Sequence, residues 1–199
     1  MRESRYVIYT ITGMRINPKW MLLDKGVRAI PAISHNENAP KPTTKNGEAQ
    51  MNGIFKDTMA NMNWRDIQHS VDKNALVLLP LGVIEEHGSQ LCLGTDTYTA
   101  HLYCLAVKEK LEEKGNPVVI APPFYWGVCQ STGGFIGSFT ARKETVIAMV
   151  FDIIASLAGF GYQNIFGVNA HGDIDHNIAM ISAFKDANEQ LRVNARCRI

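Results

Sequence analysis

The chain has 199 residues, 46% of them hydrophobic, which is enough for one domain with a substantial core. A formal net charge of +1 without basic runs excludes recognition of nucleic acid or an anionic membrane surface by bulk electrostatics. Cys92, Cys104, Cys129 and Cys197 follow no C-x-x-C spacing and nothing marks secretion, so they read as free thiols in the cytoplasm.

Residues 1–52 read as an extension or arm, and residues 53–199 as an α/β domain. Arg5–Thr12 alternates in a manner compatible with one strand. Its apolar run is too short for a membrane span and lacks a signal-peptide cleavage pattern. Pro31–Gln50 is rich in Pro, Asn, Thr and Lys and poor in apolar residues, as expected of an exposed arm, with His35 solvated.

Ala75–Pro80 is short, aliphatic and suited to a strand buried on both faces, which Pro80 and Gly82 then end. Glu85, Glu86, His87 and Asp96 follow directly, at the carboxyl end of a strand, where open α/β sheets bind ligands. Glu85, His87 and Asp96 are therefore candidates for a metal centre, although E-x-H alone also fits a solvated loop. Thr97–Lys114 reads as a helix with Leu102, Leu105, Ala106 and Leu111 on its apolar face and with His101 at the surface or in packing.

Val118–Pro122 is the next predicted strand. The aromatic and glycine-rich loop from Phe124 to Ser138 is suited to walling a small-molecule pocket, with Trp126 and Cys129 as lining residues. Arg142–Phe160 is an amphipathic helix whose stripe of Val146, Met149, Val150, Ile153, Ile154 and Leu157 faces the core. A strand at Ile165–Val168 runs into His171-Gly-Asp173, again donors just past a strand end. Gly172 would let the backbone turn so that His171 and Asp173 aim at one point. A helix over His176–Gln190, with Ile178, Ile181, Phe184 and Ala187 inward, and a strand over Leu191–Cys197 complete the pattern. Strands alternating with helix-length crossovers predict a mainly parallel sheet flanked by helices on both faces. Five carboxylate and imidazole donors in two clusters suit two zinc or manganese ions.

The stretches LPLGVIEEHGSQLCLGTD and VNAHGD resemble the creatininase (creatinine amidohydrolase) family, whose members carry Glu-x-His-Gly, then Leu-Gly-Thr-Asp, then Asn-x-His-Gly. The resemblance covers about Met59 to Arg196, and Asn63–Ile67 resembles the family's opening helix. It implies that Glu85, Asp96 and His171 hold one metal and that His87, Asp96 and Asp173 hold the other, with Asp96 bridging. Creatininase itself has a glutamate at the position of Asp173. The family's Tyr-Gly-x-Ser and Phe-Pro-Gly-Thr segments are replaced by Trp126-Gly-Val-Cys129 and Phe135-Ile-Gly-Ser138, and Thr132 stands near a family histidine. Family members also continue past the last strand into a segment bearing His-Ala-Gly and Glu-Thr-Ser. The sequence ends at Ile199, so a creatininase-like fold without its C-terminal part is expected, as a fragment or a shortened homologue.

The resemblance implies a hydrolase that opens a small cyclic amide or other cyclic carbonyl compound with metal-activated water, with Asp173, or else Glu86 or Asp175, managing the proton. The alternatives are a ring-opening hydrolase of a keto-cyclitol and a catalytically incomplete metal-binding homologue. A homo-oligomer, commonly a hexamer, is also implied.

Overall fold

The structure is a computed structural model and describes residues 53–199. The strand expected at Arg5–Thr12, the arm at Pro31–Gln50 and His35 lie outside the described residues. Strands β1 (Leu76–Leu81), β2 (Val118–Ile120), β3 (Asn164–Asn169) and β4 (Asn194–Arg198) form one sheet in the order β2-β1-β3-β4, every neighbouring pair parallel. Helices α1 (Trp64–Asp72), α2 (Thr95–Glu112), α3 (Lys143–Phe160) and α4 (Ile174–Leu191) alternate with them.

Alternation along β1 explains why its sequence is apolar throughout. Val77 and Leu79 join Val150, Ile154 and Ala183 in the core under α3 and α4, whereas Leu78 joins Cys104, Val118 and Ile120 under α2. Both faces of the strand are therefore covered. From β1 the chain passes through α2 to β2 on one side, then through α3 to β3 on the other side of β1. The carboxyl ends of β1 and β3 thus form the switch point at which such sheets leave a crevice.

The buried helical faces differ from those read in the sequence. In α2 the inward residues are Thr97, Ala100, His101 and Cys104, while Leu102 is 63% exposed. In α4 they are His176, Ala179, Met180, Ala183, Phe184 and Ala187, with Ile178 and Ile181 outside. Of the expected faces, Leu105 and Leu111 of α2 still pack against the core and Phe184 and Ala187 of α4 are buried, whereas Leu102, Ala106, Ile178 and Ile181 are exposed. Met149 of α3 is likewise exposed, while Val146, Val150, Ile154 and Leu157 are buried as expected. Leu191 still belongs to α4, and Arg192 turns the chain in a left-handed conformation before β4. Among the described residues no helix is long and apolar enough to cross a membrane.

Candidate metal centre

Three segments meet at the switch point. The first is the loop after β1, held by Glu85 N–H donating to the Leu93 carbonyl at 3.0 Å and by Glu86 N–H donating to Ser138 Oγ at 2.9 Å. The second is the first turn of α2, which carries Asp96 and lies directly over Gly82. A β-carbon at Gly82 would stand 2.6 Å from Thr97 N, so only glycine allows this approach. The third is the turn after β3, where Ala170 N–H donates to the Leu81 carbonyl at 3.0 Å. Asn169 secures that turn by accepting from His171 N–H and donating to the His171 carbonyl and to Asn177 Oδ1.

These segments bring Glu85, His87, Asp96 and His171 together. Asp96 spans two imidazoles, with Oδ1 2.9 Å from His87 Nε2 and Oδ2 2.9 Å from His171 Nδ1. Glu85 Oε1 lies 2.8 Å from the same His171 Nδ1 and 3.8 Å from His87 Nε2. Glu85, Asp96 and His171 are buried and His87 half-buried. Thr132, near the position of a family histidine, donates its hydroxyl to the other oxygen of Glu85.

The tautomers follow from the remaining ring nitrogens. His171 Nε2 is 3.0 Å from the Val128 carbonyl, and His87 Nδ1 is 3.0 Å from the Glu85 carbonyl. A carbonyl only accepts, so both of these nitrogens carry hydrogen. In a neutral ring the other nitrogen presents a lone pair, yet each one faces carboxylate oxygens. Lone pairs facing lone pairs repel unless something positive lies between them. A second proton on each ring is one answer and a divalent cation is the other, and carbonyl-oriented imidazoles facing carboxylates are how metal sites are built. The residues therefore fit a divalent metal.

Without metal, the protons must be held. Burial opposes charge on His171, but the Asp96 carboxylate, the Cys129 thiol, Glu85 and the Val128 carbonyl together push it up to about 10. Burial likewise opposes charge on His87, which the Glu85 carbonyl and Asp96 nevertheless raise. Asp96 is disfavoured as an anion by burial but is held below the usual carboxylate range by its two histidines. A histidine raised from 6.5 to about 10 contributes stability that is complete below 6.5 and is lost as pH rises through about 10. Metal-free protein is therefore expected to melt at a lower temperature at about pH 9 than at about pH 7, and zinc-loaded protein to lose less over that interval, as thermal unfolding would show.

The structure does not bring Asp173 into this cluster. It is the N-cap of α4: Oδ1 accepts from Asp175 N–H at 2.9 Å and His176 N–H at 3.2 Å. Oδ2 accepts from Gln130 N–H at 2.8 Å and from the Ser131 N–H and hydroxyl. Both oxygens are taken, which ties the loop at residues 130–131 to the start of the helix. Despite burial, these donors hold the acid below its usual range. Asp173→Asn would keep the helix cap but turn an amide NH2 toward the loop's N–H donors. Chemical denaturation should report a loss of about 1–3 kcal/mol, with metal content unchanged.

Glu86 accepts from Gly88 N–H on the loop surface and makes no contact with the donor cluster. Asp175 pairs with Lys143 at 3.0 Å. Trp126 is 41% exposed and packs edge-on against Phe139. Cys129, expected only as pocket lining, is buried, and its sulfur lies within 4.8 Å of one donor atom each of Glu85 and His171. His176 stacks edge-on against His171 with ring centroids 5.0 Å apart, and burial together with the charge on His171 lowers it to about 4. Its place in the first turn of α4, five residues after His171, was the only sequence sign of that contact.

A parallel α/β sheet with a carboxylate–imidazole cluster at its switch point defines the class: an α/β protein with a candidate divalent-metal centre. The creatininase (creatinine amidohydrolase) family model matches residues 60–198, and the chain belongs to that family. It is 27% identical over 117 residues to a creatinine amidohydrolase of Pseudomonas putida, covering 57% of this chain and 44% of the relative. Over 124 residues it is 28% identical to a mycofactocin precursor peptide peptidase of Mycobacterium ulcerans (strain Agy99), covering 60% of this chain and 47% of the relative. The chain thus spans about half the length of the curated relatives it matches. The solved structure named Creatininase Mn superposes with a TM-score of 0.64 at 20% identity, covering 71% of this chain and 57% of that one. A creatininase mutant described as Zn-Zn type gives a TM-score of 0.57 at 21% identity over the same shares. These two likenesses establish the fold.

Proposed function

We propose that the chain is a metal-dependent hydrolase of the creatininase type that opens a small cyclic amide with activated water. The observation that carries this reading is the pair of imidazoles, each fixed by a backbone carbonyl, aimed at shared carboxylates. Glu85, Asp96 and His171 would hold one ion and His87 with Asp96 a second, Asp96 being shared between the two positions. Bound divalent ions supply water activation near neutral pH and polarisation of a substrate carbonyl. The metals are zinc or manganese, as in the solved relatives described as Mn and Zn-Zn. An amide is favoured over a keto-cyclitol because the curated relatives are named an amidohydrolase and a peptidase.

Asp173 and Thr132 position rather than react. Asp173 holds the loop whose Val128 carbonyl orients His171, and Thr132 orients Glu85. Glu86, on the rim beside His87, is the carboxylate nearest in sequence that is free of the donor cluster and can exchange a proton with solvent. The second reading, a chain that holds metal without turnover, is favoured by one observation: Asp173, spent as a cap, leaves the His87 position with fewer protein donors. A panel of cyclic amides assayed with zinc- or manganese-loaded protein separates the two. Hydrolysis that a chelator abolishes supports the enzyme. Stoichiometric metal with no hydrolysis of any amide supports the second reading.

The free thiols of all four cysteines suit a reducing, cytoplasmic setting. Assembly into a homo-oligomer, a hexamer in the family manner, completes the proposal. Light scattering on the full chain should return a mass well above that of one chain, and a monomer over a wide concentration range would remove this part.

A further inference from the structure

We propose that Cys129 is a metal ligand at the Glu85–His171 position, giving a Glu-Asp-His-Cys donor set that selects zinc. The inference rests on the metal reading above and goes beyond it in naming a sulfur donor. Cys129 lies in the loop between β2 and α3 and is 1% exposed. Its backbone is fixed on both sides: Cys129 N–H donates to Thr140 Oγ1 at 3.0 Å, and the preceding carbonyl, of Val128, accepts from His171 Nε2 at 3.0 Å. The stretch that orients the histidine therefore also delivers the sulfur. Gly127 permits this, because a β-carbon there would stand 2.2 Å from Val83 Cγ1 and 2.6 Å from His176 Nδ1.

One donor atom each from Glu85, Cys129 and His171 lies within 4.8 Å of the others. Zinc bonds of about 2.0 Å to oxygen or nitrogen and about 2.3 Å to sulfur place tetrahedral ligand atoms about 3.5 Å apart, so side-chain rotations close the set. Asp96 lies within 4.8 Å of Glu85 and His87 rather than of Cys129, and its Oδ2, 2.9 Å from His171 Nδ1, would turn toward the ion as the fourth donor. The thiol at present donates to the Phe139 carbonyl at 3.3 Å, and its proton passes to solvent as the ion binds. The bland reading of a buried cysteine is a small apolar filler with a weak donor. Cys104 fits that reading, sitting in the core with Leu78 and Ile120 and outside the donor clusters found among the described residues. Cys129 differs in facing an acid and an imidazole.

Two consequences follow from the chemistry. Thiolate favours zinc over manganese, which prefers oxygen donors. Four protein donors fill a tetrahedral ion, so this position anchors, and open coordination falls to the His87–Asp96 position.

The test is cobalt substitution of the full chain, read by absorption. Wild-type protein should bind cobalt with its visible ligand-field bands and show a sulfur-to-cobalt charge-transfer band in the near ultraviolet. Cys129→Ser should retain cobalt, lose that band and lower the preference for zinc over manganese by about tenfold or more. Cys92→Ser, at an exposed thiol, should keep the band. Cobalt bound without the charge-transfer band, or with a band unchanged in Cys129→Ser, would overturn the sulfur ligand and leave the metal reading standing. A wild-type chain that binds no cobalt overturns both. X-ray absorption of zinc-loaded wild type gives an answer that no variant's folding can confuse, namely a sulfur scatterer at about 2.3 Å or only oxygen and nitrogen.

Discussion

Replacing Asp96 by alanine is expected to abolish stoichiometric metal loading at both positions, a larger effect than any other single substitution in the cluster. The carboxylate stands between the two imidazoles, one oxygen on each at 2.9 Å, so its removal takes a donor from both sites together. The loss in affinity should exceed the roughly 10–100-fold that removal of an outer partner of a metal ligand costs. His87→Ala, by contrast, should empty one position and leave one ion per chain, because Glu85, Asp96 and His171 remain in contact without it. Elemental analysis of metal-reconstituted protein, with calorimetric titration, measures both. An Asp96→Ala protein that kept two ions would show that the carboxylate does not bridge.

The sequence carried the layout of the fold because the strands are buried on both faces. Ala75–Pro80 and Ile165–Val168 are apolar without alternation, as strands of a covered parallel sheet are, and the helix-length crossovers between them gave the direction. Helical faces were less legible. In α2 the innermost residues are Thr97, Ala100, His101 and Cys104, with Leu105 and Leu111 only partly buried, and in α4 Ile178 and Ile181 lie outside while Phe184 and Ala187 are buried, so a reading that turns the largest aliphatics inward rotates the helix by part of a turn. The rotation in α2 hid the burial of His101, and that in α4 hid the contact of His176 with His171.

Within the site, legibility depended on what else could use a side chain. Glu85, His87 and His171 sit in loops just past strand ends and Asp96 in the first turn of α2, and the four side chains meet. Asp173 lies in a similar place but precedes a helix by one residue. An acid there is claimed by the helix's free N–H groups, and a loop more than forty residues away takes its other oxygen. No local pattern reveals that second partner. Cys129 shows the converse, since only the folded loop brings its sulfur to Glu85 and His171.

Gly82 and Gly172 flank the two donor clusters, and alanine at these positions should behave in opposite ways. At Gly82 an added β-carbon would meet Thr97 N at 2.6 Å, Thr97 Cα at 2.7 Å and the Asp96 carbonyl carbon at 2.8 Å. These are backbone atoms in the first turn of α2, and no rotamer change can move them aside. The helix must retreat from the end of β1 and carry Asp96 with it, away from His87 and His171. Gly82→Ala should therefore cost about 1–3 kcal/mol of stability, as overpacking does, and should also lower affinity for both ions, since a displacement of a few tenths of an ångström strains every bond to a bridging carboxylate. At Gly172 a β-carbon meets nothing within 4 Å, and the backbone is not left-handed. The tight turn expected between His171 and Asp173 is made instead by Asn169, through its bonds to the His171 N–H and carbonyl. Gly172→Ala should thus fold and load metal like the unmodified protein. Denaturation and metal titration of the two variants, side by side, check both halves. If Gly82→Ala loads metal with unchanged affinity, the close approach of α2 to β1 is not what sets the bridging carboxylate in place.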